Sequence, residues 1–291
     1  MKTLNIIGAG RVGRTLGALW ERTRVFSIQD VLSGTPHATR SGVAFIGKGR
    51  AVNALEDMHA ADVWMLTPPD GRIAACCSAL AASGLLREGD IVFHCSGALS
   101  SDELKSAVER GARTASVHPL KSFAEPHDAV RSFAGTYCAA EGDGAALAVL
   151  RPAFEQIGAR VTEIDAQSKP LYHAASVIVC NYLVALMEAG LRCYETAGIA
   201  RDTARAMMEP LVRETIDNVF KLGPVTALTG PIARGDDAVV AHQLAALAKW
   251  DPRIASLYRE LAAVALDLAR EKGEADLAAL DRLRDLLHRN D

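Results

Sequence analysis

Apolar positions cluster in short runs through the first half of the chain. Leu4, Asn5, Ile6 and Ile7 form the first run, which stops at Gly8-Ala9-Gly10-Arg11-Val12-Gly13, and Thr15 to Arg22 then continues as a helix. Strand, glycine turn and helix follow one another. Val25 to Leu32 predicts a second strand and Val43 to Ile46 a third. Asp62 to Leu66 predicts a fourth, ending at Thr67-Pro68-Pro69-Asp70, and Ile91 to His94 a fifth, ending at Cys95-Ser96-Gly97. Alanine-rich helical stretches, Gly71 to Ser83 and Ser101 to Arg110, lie between and after the later strands. Such alternation calls for an α/β fold, a Rossmann-type doubly wound parallel sheet whose ligand crevice lies beyond the carboxyl ends of the strands. Two more apolar runs, Thr136 to Ala140 and Arg160 to Ile164, flank a helix from Gly144 to Ile157 and extend the same sheet.

The pattern changes after Asp165. Pro170 suits the first turn of a helix and Gly198 its stop, so 170–197 predicts one long helix. Another starts at Asp251-Pro252, with Ile254, Leu257, Leu261, Val264 and Leu268 recurring at three and four residues. No strand pattern follows. This places a dinucleotide-binding domain at 1–165 and an all-helical substrate and dimerisation domain at 166–291. The apolar run Ala174 to Gly190 is too short for a clean membrane span and contains Asn181 and Glu188, so it predicts a buried core helix. Its apolar positions, Val177, Ile178, Val179, Tyr182, Leu183, Leu186 and Met187, fall on more than one face. A homodimer would cover what a single chain leaves open.

Composition narrows the function classes. With 49% hydrophobic and 23% charged residues in 291, the chain is an ordinary globular protein. A net charge of -3 without a Lys/Arg run argues against nucleic acid or a membrane surface as partner and leaves small molecules. The six cysteines form no CxxC pair, and the first strand begins almost at Met1 with no signal peptide, so a cytoplasmic protein is expected. Eight histidines without HxxH or HExxH spacing predict no metal site.

Candidate chemistry gathers at the predicted strand ends. Gly8 makes the tight turn, Gly10 lets the backbone approach a pyrophosphate, Gly13 allows close packing of helix on strand, and Ala9, Arg11 and Val12 complete the loop. The helix N-terminus offers free N–H groups and its positive dipole end to phosphates. Thr67, Pro68 and Pro69 form a stiff loop beside the cofactor. Ser96 and Gly97 stand near the nicotinamide, where a small hydroxyl residue and an adaptable backbone suit a substrate carbonyl or carboxylate. His118, before Pro119, can reach the same cleft. Asp30, twenty residues after Gly10, superficially suits the ribose of NAD. A strand running to Leu32 instead presents Ser33, Gly34 and Thr35, with Arg40 and Arg11 nearby, and these favour the 2′-phosphate of NADP. GxSxG is absent, which sets aside a serine hydrolase built on Ser96.

These segments, with Lys169-Pro170-Leu171-Tyr172-His173-Ala174-Ala175, Cys180-Asn181 and Leu228-Thr229-Gly230-Pro231-Ile232-Ala233-Arg234-Gly235-Asp236, make the chain resemble bacterial Rossmann-like proteins that end in the domain of unknown function DUF2520. That family is similar in layout to pyrroline-5-carboxylate reductase, ketopantoate reductase and the β-hydroxyacid dehydrogenases. The resemblance implies a nicotinamide dinucleotide, dimerisation through the helical domain and an oxidoreductase activity, and it names no substrate. In the related dehydrogenases a lysine and an asparagine stand four residues apart on the first long helix of the second domain. Here Val177 stands four before Asn181, and the lysine is missing. His173, eight residues before Asn181, can border the same cleft and donate the proton a carbonyl or imine needs when it accepts hydride. Its competing role is packing at a helix start. Lys169 is a second candidate, although a lysine in this position is usually solvated. In the pyrroline reductases the loop comparable to 229–236 reaches the partner's active site, so Thr229 and Arg234 are expected to bind substrate, Arg234 holding a carboxylate. The expectation is an NADP-dependent reductase of a small carboxylate-bearing carbonyl or imine compound, with NAD as the other cofactor. The alternative is a catalytically silent sensor that keeps only the dinucleotide site.

Overall fold

The computed structural model describes residues 1–288. Its chain forms two compact units, Met1–Asn181 and the residues from Tyr182 onward. The division falls in the helical run that follows Asp165, sixteen residues past the boundary expected from sequence.

In the first unit β1 (Thr3–Ile7) leads through Gly8–Gly10 into α1 (Arg11–Thr23), and β2 (Ser27–Leu32) follows. Next come α2 (Pro36–Ile46), the two-residue β3 (Arg50–Ala51), β4 (Val63–Leu66), α3 (Ile73–Ala82) and β5 (Ile91–His94). After α4 (Lys105–Val108) come β6 (Arg113–Pro119), α5 (Pro126–Arg131), β7 (Tyr137–Gly142), α6 (Gly144–Glu155) and β8 (Arg160–Glu163). The unit closes on α7 (Lys169–Ser176) and a π-helical turn over Val177–Asn181. The eight strands lie in the order β3-β2-β1-β4-β5-β6-β7-β8. The Rossmann-type sheet expected from sequence is present, with the topological switch between β1 and β4.

Both faces of the sheet are covered at its centre, which is why β4 and β5 are almost wholly apolar rather than alternating. Successive residues feed opposite cores. Val63, Met65, Ile91 and Phe93 pack on the side of Trp20 and Phe154, whereas Trp64, Leu66 and Val92 pack with Leu80 and Leu104. Trp20 meets Phe26, Phe93 and Phe154 edge to face and donates its indole N–H to the Ala153 carbonyl at 2.9 Å.

Three elements differ from the sequence pattern. Val43 to Ile46 is the end of α2, not a strand: Thr35 caps that helix by accepting from the Ala38 N–H, Pro36 starts it, and Gly47 closes it at a φ of 87°. A four-residue apolar run cannot distinguish strand from helix, and the caps decide it. The third strand is instead Arg50–Ala51, both exposed. The strand β6, whose Thr114, Ala115 and Ser116 carry little β-branched bulk, went unread except at its end. It pairs antiparallel with β7, so β7 and β8 run against the otherwise parallel sheet.

The second unit holds α8 (Tyr182–Thr196), α9 (Arg201–Leu222), α10 (Pro224–Ala227), α11 (Pro231–Arg234), α12 (Asp237–Trp250), α13 (Pro252–Lys272) and α14 (Leu277–His288). Val240, Leu244, Leu266, Leu280 and Leu283 form its core. No strand occurs among its described residues. Asp251 begins α13 as the sequence predicts, accepting from the Arg253 N–H.

The expected core helix is not buried in one chain. Ile178 is 59% exposed, Val179 71%, Tyr182 60% and Val184 68%. The helical run Ala166–Thr196 is also long and apolar enough to cross a membrane by length and composition, which the run Ala174 to Gly190 alone was not.

Asp30, 1% exposed, is locked inside the fold. Its carboxylate accepts from Arg50 Nε at 2.8 Å, Arg50 Nη2 at 3.1 Å and the His59 backbone N–H at 2.6 Å. Burial alone would raise its pKa, but the bonds from Arg50 and His59 outweigh burial and hold the carboxyl below its ordinary value. A carboxyl with a lowered folded pKa stabilises fully above its ordinary pKa and loses that contribution as pH falls through the folded value. Asp30→Asn is therefore expected to cost about 2 kcal/mol at neutral pH, the scale of charge-assisted hydrogen bonds. Urea unfolding at neutral pH and again in acid, as the pH falls past the ordinary carboxyl value of 3.8, reads this, and a wild-type advantage that stays the same in acid contradicts it.

Candidate functional site

The glycine turn is held by backbone contacts that leave no room for side chains. Gly8 has a φ of 107°, and a Cβ there would lie under 3 Å from the Thr67 carbonyl and the Pro68 nitrogen. A Cβ at Gly13 would collide with the Gly8 carbonyl. The Gly8 N–H donates to the Leu32 carbonyl at 2.8 Å, the Thr67 N–H donates to Ile7, and the Thr67 hydroxyl donates to the Gly8 carbonyl at 2.7 Å. Thr67 and Pro68 thus brace the turn from β4, while Arg14 reaches back to the Ala9 carbonyl. Gly10 behaves differently. A Cβ there meets nothing within 4 Å, and no side chain caps α1. The space over this helix end fits a phosphate group approaching the free N–H groups.

The second cluster forms where β5 and β6 end. Gly97 lies against two imidazoles: a Cβ on it would come under 3 Å from His173 Nδ1 and from His118 Cε1 and Nε2. The two rings meet edge to face with centroids 5.6 Å apart. His118 Nδ1 lies 3.1 Å from the Tyr172 hydroxyl. Burial first, then the charge of Lys169 and the neighbouring His173, push His118 down to about 4 against the pull of Asp70, so His118 is neutral at neutral pH. His173 Nδ1 is buried with no hydrogen-bond partner among the described residues. An unpaired buried nitrogen is unusual and marks a place where a ligand or water belongs.

These two clusters face one cavity of about 750 Å³, whose lining includes Arg11 and Val12 of the glycine loop with His118, Tyr172, His173 and Asn181. Eight residues along a regular helix would set His173 and Asn181 about 80° apart. The π turn between them advances by less rotation per residue than an α-helix, and both residues border the cavity.

Ser96 lies just past the end of β5, where the sequence places it, and its hydroxyl is already engaged. It is buried, its hydroxyl donates to Asp70 Oδ2 at 2.8 Å, and it accepts from the Ala98 and Leu99 N–H groups. That hydroxyl holds the loop around Gly97 in place. His94, completely buried, accepts from the Ser96 N–H at Nδ1 and so donates from Nε2 to the Ser100 carbonyl; burial pushes it down to about 4, which fits a neutral structural ring. Ser33 and Thr35 follow β2, Thr35 as the cap of α2 and Ser33 with its N–H bonded to Thr39. Pro69 precedes a short 3-10 turn at Asp70–Arg72. Thr229 and Arg234 belong to the second unit. There Thr229 borders an apolar cavity of about 410 Å³ with Tyr258 and Leu261, and Arg234 pairs with Asp236 at 2.8 Å.

Sequence reasoning passed over Tyr172, and it undervalued Lys169. Lys169 is fully buried, bonded to the Ser96 carbonyl at 2.9 Å and the Ser116 hydroxyl at 2.5 Å, with Glu141 at 3.7 Å. The available signal was its spacing, one helical turn before His173 on the same face.

Known protein families match two parts of the chain, which do not coincide with the two compact units. Residues 2–119 match a Rossmann-like domain and residues 136–265 match the domain of unknown function DUF2520, so the resemblance drawn from the motifs is borne out for both parts. No curated protein matches the chain. Among solved structures, a protein from Thermotoga maritima is 27% identical, with a TM-score of 0.73 over 94% of this chain and 100% of its own. An imine reductase from Myxococcus stipitatus in complex with NADP+ is 16% identical, with a TM-score of 0.64 over 97% of this chain and 99% of its own. A pyrroline-5-carboxylate reductase from Coxiella burnetii is 16% identical, with a TM-score of 0.58 over 98% of each chain. At such identities the two reductases share the fold.

Proposed function

We propose that this chain, a Rossmann-like domain joined to a DUF2520 domain, is an NAD(P)-dependent oxidoreductase that reduces a small carbonyl or imine compound. One observation carries the reading: the open glycine-turn end of α1 and the cluster of His118, Tyr172, His173 and Asn181 border a single cavity. The names of the imine reductase and the pyrroline-5-carboxylate reductase point the same way. We keep 166–291 as the helical substrate and dimerisation part.

Gly8, Ala9, Gly10, Arg11, Val12 and Gly13 would hold the pyrophosphate, with Thr67, Pro68 and Pro69 walling the turn. NADP is the preferred cofactor. Asp30 cannot serve the ribose readily, because Arg50 and His59 already occupy its carboxylate. Ser33 and the exposed Thr35 follow the end of β2 instead, with the exposed Arg40 on α2 and Arg11 at the glycine loop, and suit a 2′-phosphate.

When bound, the nicotinamide supplies hydride. The chain must then deliver a proton to the carbonyl oxygen or imine nitrogen. His173 is assigned that role at one of its ring nitrogens, with Asn181 binding the reacting group from the same cavity. His118, neutral and paired with Tyr172, serves as a hydrogen-bonding partner for substrate. Arg234 is the candidate for a substrate carboxylate, which would compete with Asp236 for the guanidinium. The sensor alternative rests on Val177, an apolar residue where related dehydrogenases carry lysine. Binding of cofactor without any turnover would favour it.

The exposed apolar positions Ile178, Val179, Tyr182 and Val184 are assigned to a two-fold homodimer interface, and the six free thiols fit a cytoplasmic protein. Sedimentation of a monomer at micromolar concentration contradicts the dimer.

NADPH is expected to bind about tenfold more tightly than NADH, roughly 1.4 kcal/mol, in a fluorescence titration, and equal or reversed affinities contradict the assignment to Ser33 and Thr35. Gly10→Val should abolish binding of both cofactors while leaving the fold intact, since its side chain enters open space. His173→Ala should lower turnover about a hundredfold with NADPH affinity unchanged. Full specific activity in that variant makes the histidine structural.

A further inference from the structure

Lys169 is a fully buried lysine beside the site and has no role in the chemistry described so far. Its ammonium has three acceptors around it: the Ser96 carbonyl at the end of β5, the Ser116 hydroxyl in β6 and Glu141 of β7. Two hydrogen bonds to acceptors and a carboxylate at 3.7 Å describe the charged form. Burial pulls its pKa below the ordinary lysine value, while the charges of Glu141 and Asp70 support the ammonium. Glu141 is in turn fixed by accepting from the Ser101 N–H at 2.8 Å and the Ser101 hydroxyl at 2.7 Å. Burying such a pair adds little to stability, and an apolar pair of the same size often does better. Stability alone therefore gives no reason for a charge here.

The position does give one. Lys169 opens α7 one turn before His173, so its two hydrogen bonds and its ion pair with Glu141 fix the start of the helix that carries Tyr172 and His173 to the ends of β5 and β6. The carbonyl it holds belongs to Ser96, whose neighbour Gly97 lies against both imidazoles. We propose that the buried Lys169–Glu141 pair is the positioning element of this site: it sets His173 and His118 against Gly97 and keeps a positive charge near the His118 ring. The catalytic meaning of this placement rests on the proposed function; the geometric and electrostatic claim does not. A fixed cation near an imidazole disfavours its protonation, which keeps the His118 ring neutral. The groups facing His118 are Tyr172 and His173 on α7, Lys169 at its start and Asp70 in the loop after β4. Only Asp70 among them opposes the effect of the ammonium.

The test uses histidine side-chain NMR on the full chain without cofactor or substrate, so an absence of turnover leaves it standing. Lys169→Met alone would strand the buried Glu141 carboxylate. The double variant Lys169→Met/Glu141→Gln removes both charges and keeps the volumes, and it is the working comparison. In the wild type His118 is expected to stay neutral down to about pH 4. In the double variant its titration should move to higher pH, and the contact between the His173 ring and the Gly97 α-protons should weaken. A His118 titration identical in the two proteins overturns the proposal and reduces the pair to packing.

Discussion

The first unit depends on a backbone contact too close for side chains. The turn after β1 and the end of β4 touch across Gly8, Gly13 and Thr67, and a single methyl group at either glycine would collide with main-chain atoms. The Thr67 hydroxyl ties the contact with a bond to the Gly8 carbonyl. Because β1 and β4 flank the topological switch of the sheet, this contact brings the uncapped end of α1 to the crevice where the strand order reverses. The open space at Gly10 follows from the crowding at Gly8 and Gly13. The turn is pinned on one side and left free on the side a phosphate would approach.

A second constraint works at the imidazole cluster that borders the cavity. Gly97 is the residue on which the imidazoles of His118 and His173 converge, and the loop that presents it is held by the Ser96 hydroxyl, Asp70 and the ammonium of Lys169. Rigid support of this kind is what a proton-transfer site needs, since small displacements of a donor weaken it strongly. The site is built from strand ends and the first turn of a helix, both stiffer than free loops.

Much of this was legible in the sequence. The glycine turn, the strands β1, β2, β4 and β5 and the placement of His118, His173 and Asn181 followed from apolar periodicity and from the residues that punctuate it. What was hidden has specific causes. Val43 to Ile46 was ambiguous because a short apolar run suits either element. The small residues of β6 gave no strand signature. Lys169 was misjudged because a charged residue before a proline is normally solvated, and only the pairing of β5, β6 and β7 creates the acceptors that bury it. The apolar face of Ile178, Val179 and Val184 was expected in a core, yet one chain leaves it open, since the covering surface is not encoded in the local pattern.

The central claim is that the glycine turn and the imidazole cluster serve one bound molecule. NADP+ titrated into uniformly labelled protein tests this most directly, with the Gly10, Arg11 and Val12 amides and the His173 and His118 rings followed together. The account predicts that all of them shift along one saturation curve. Shifts confined to the glycine turn, with both imidazoles unmoved at saturation, would contradict it.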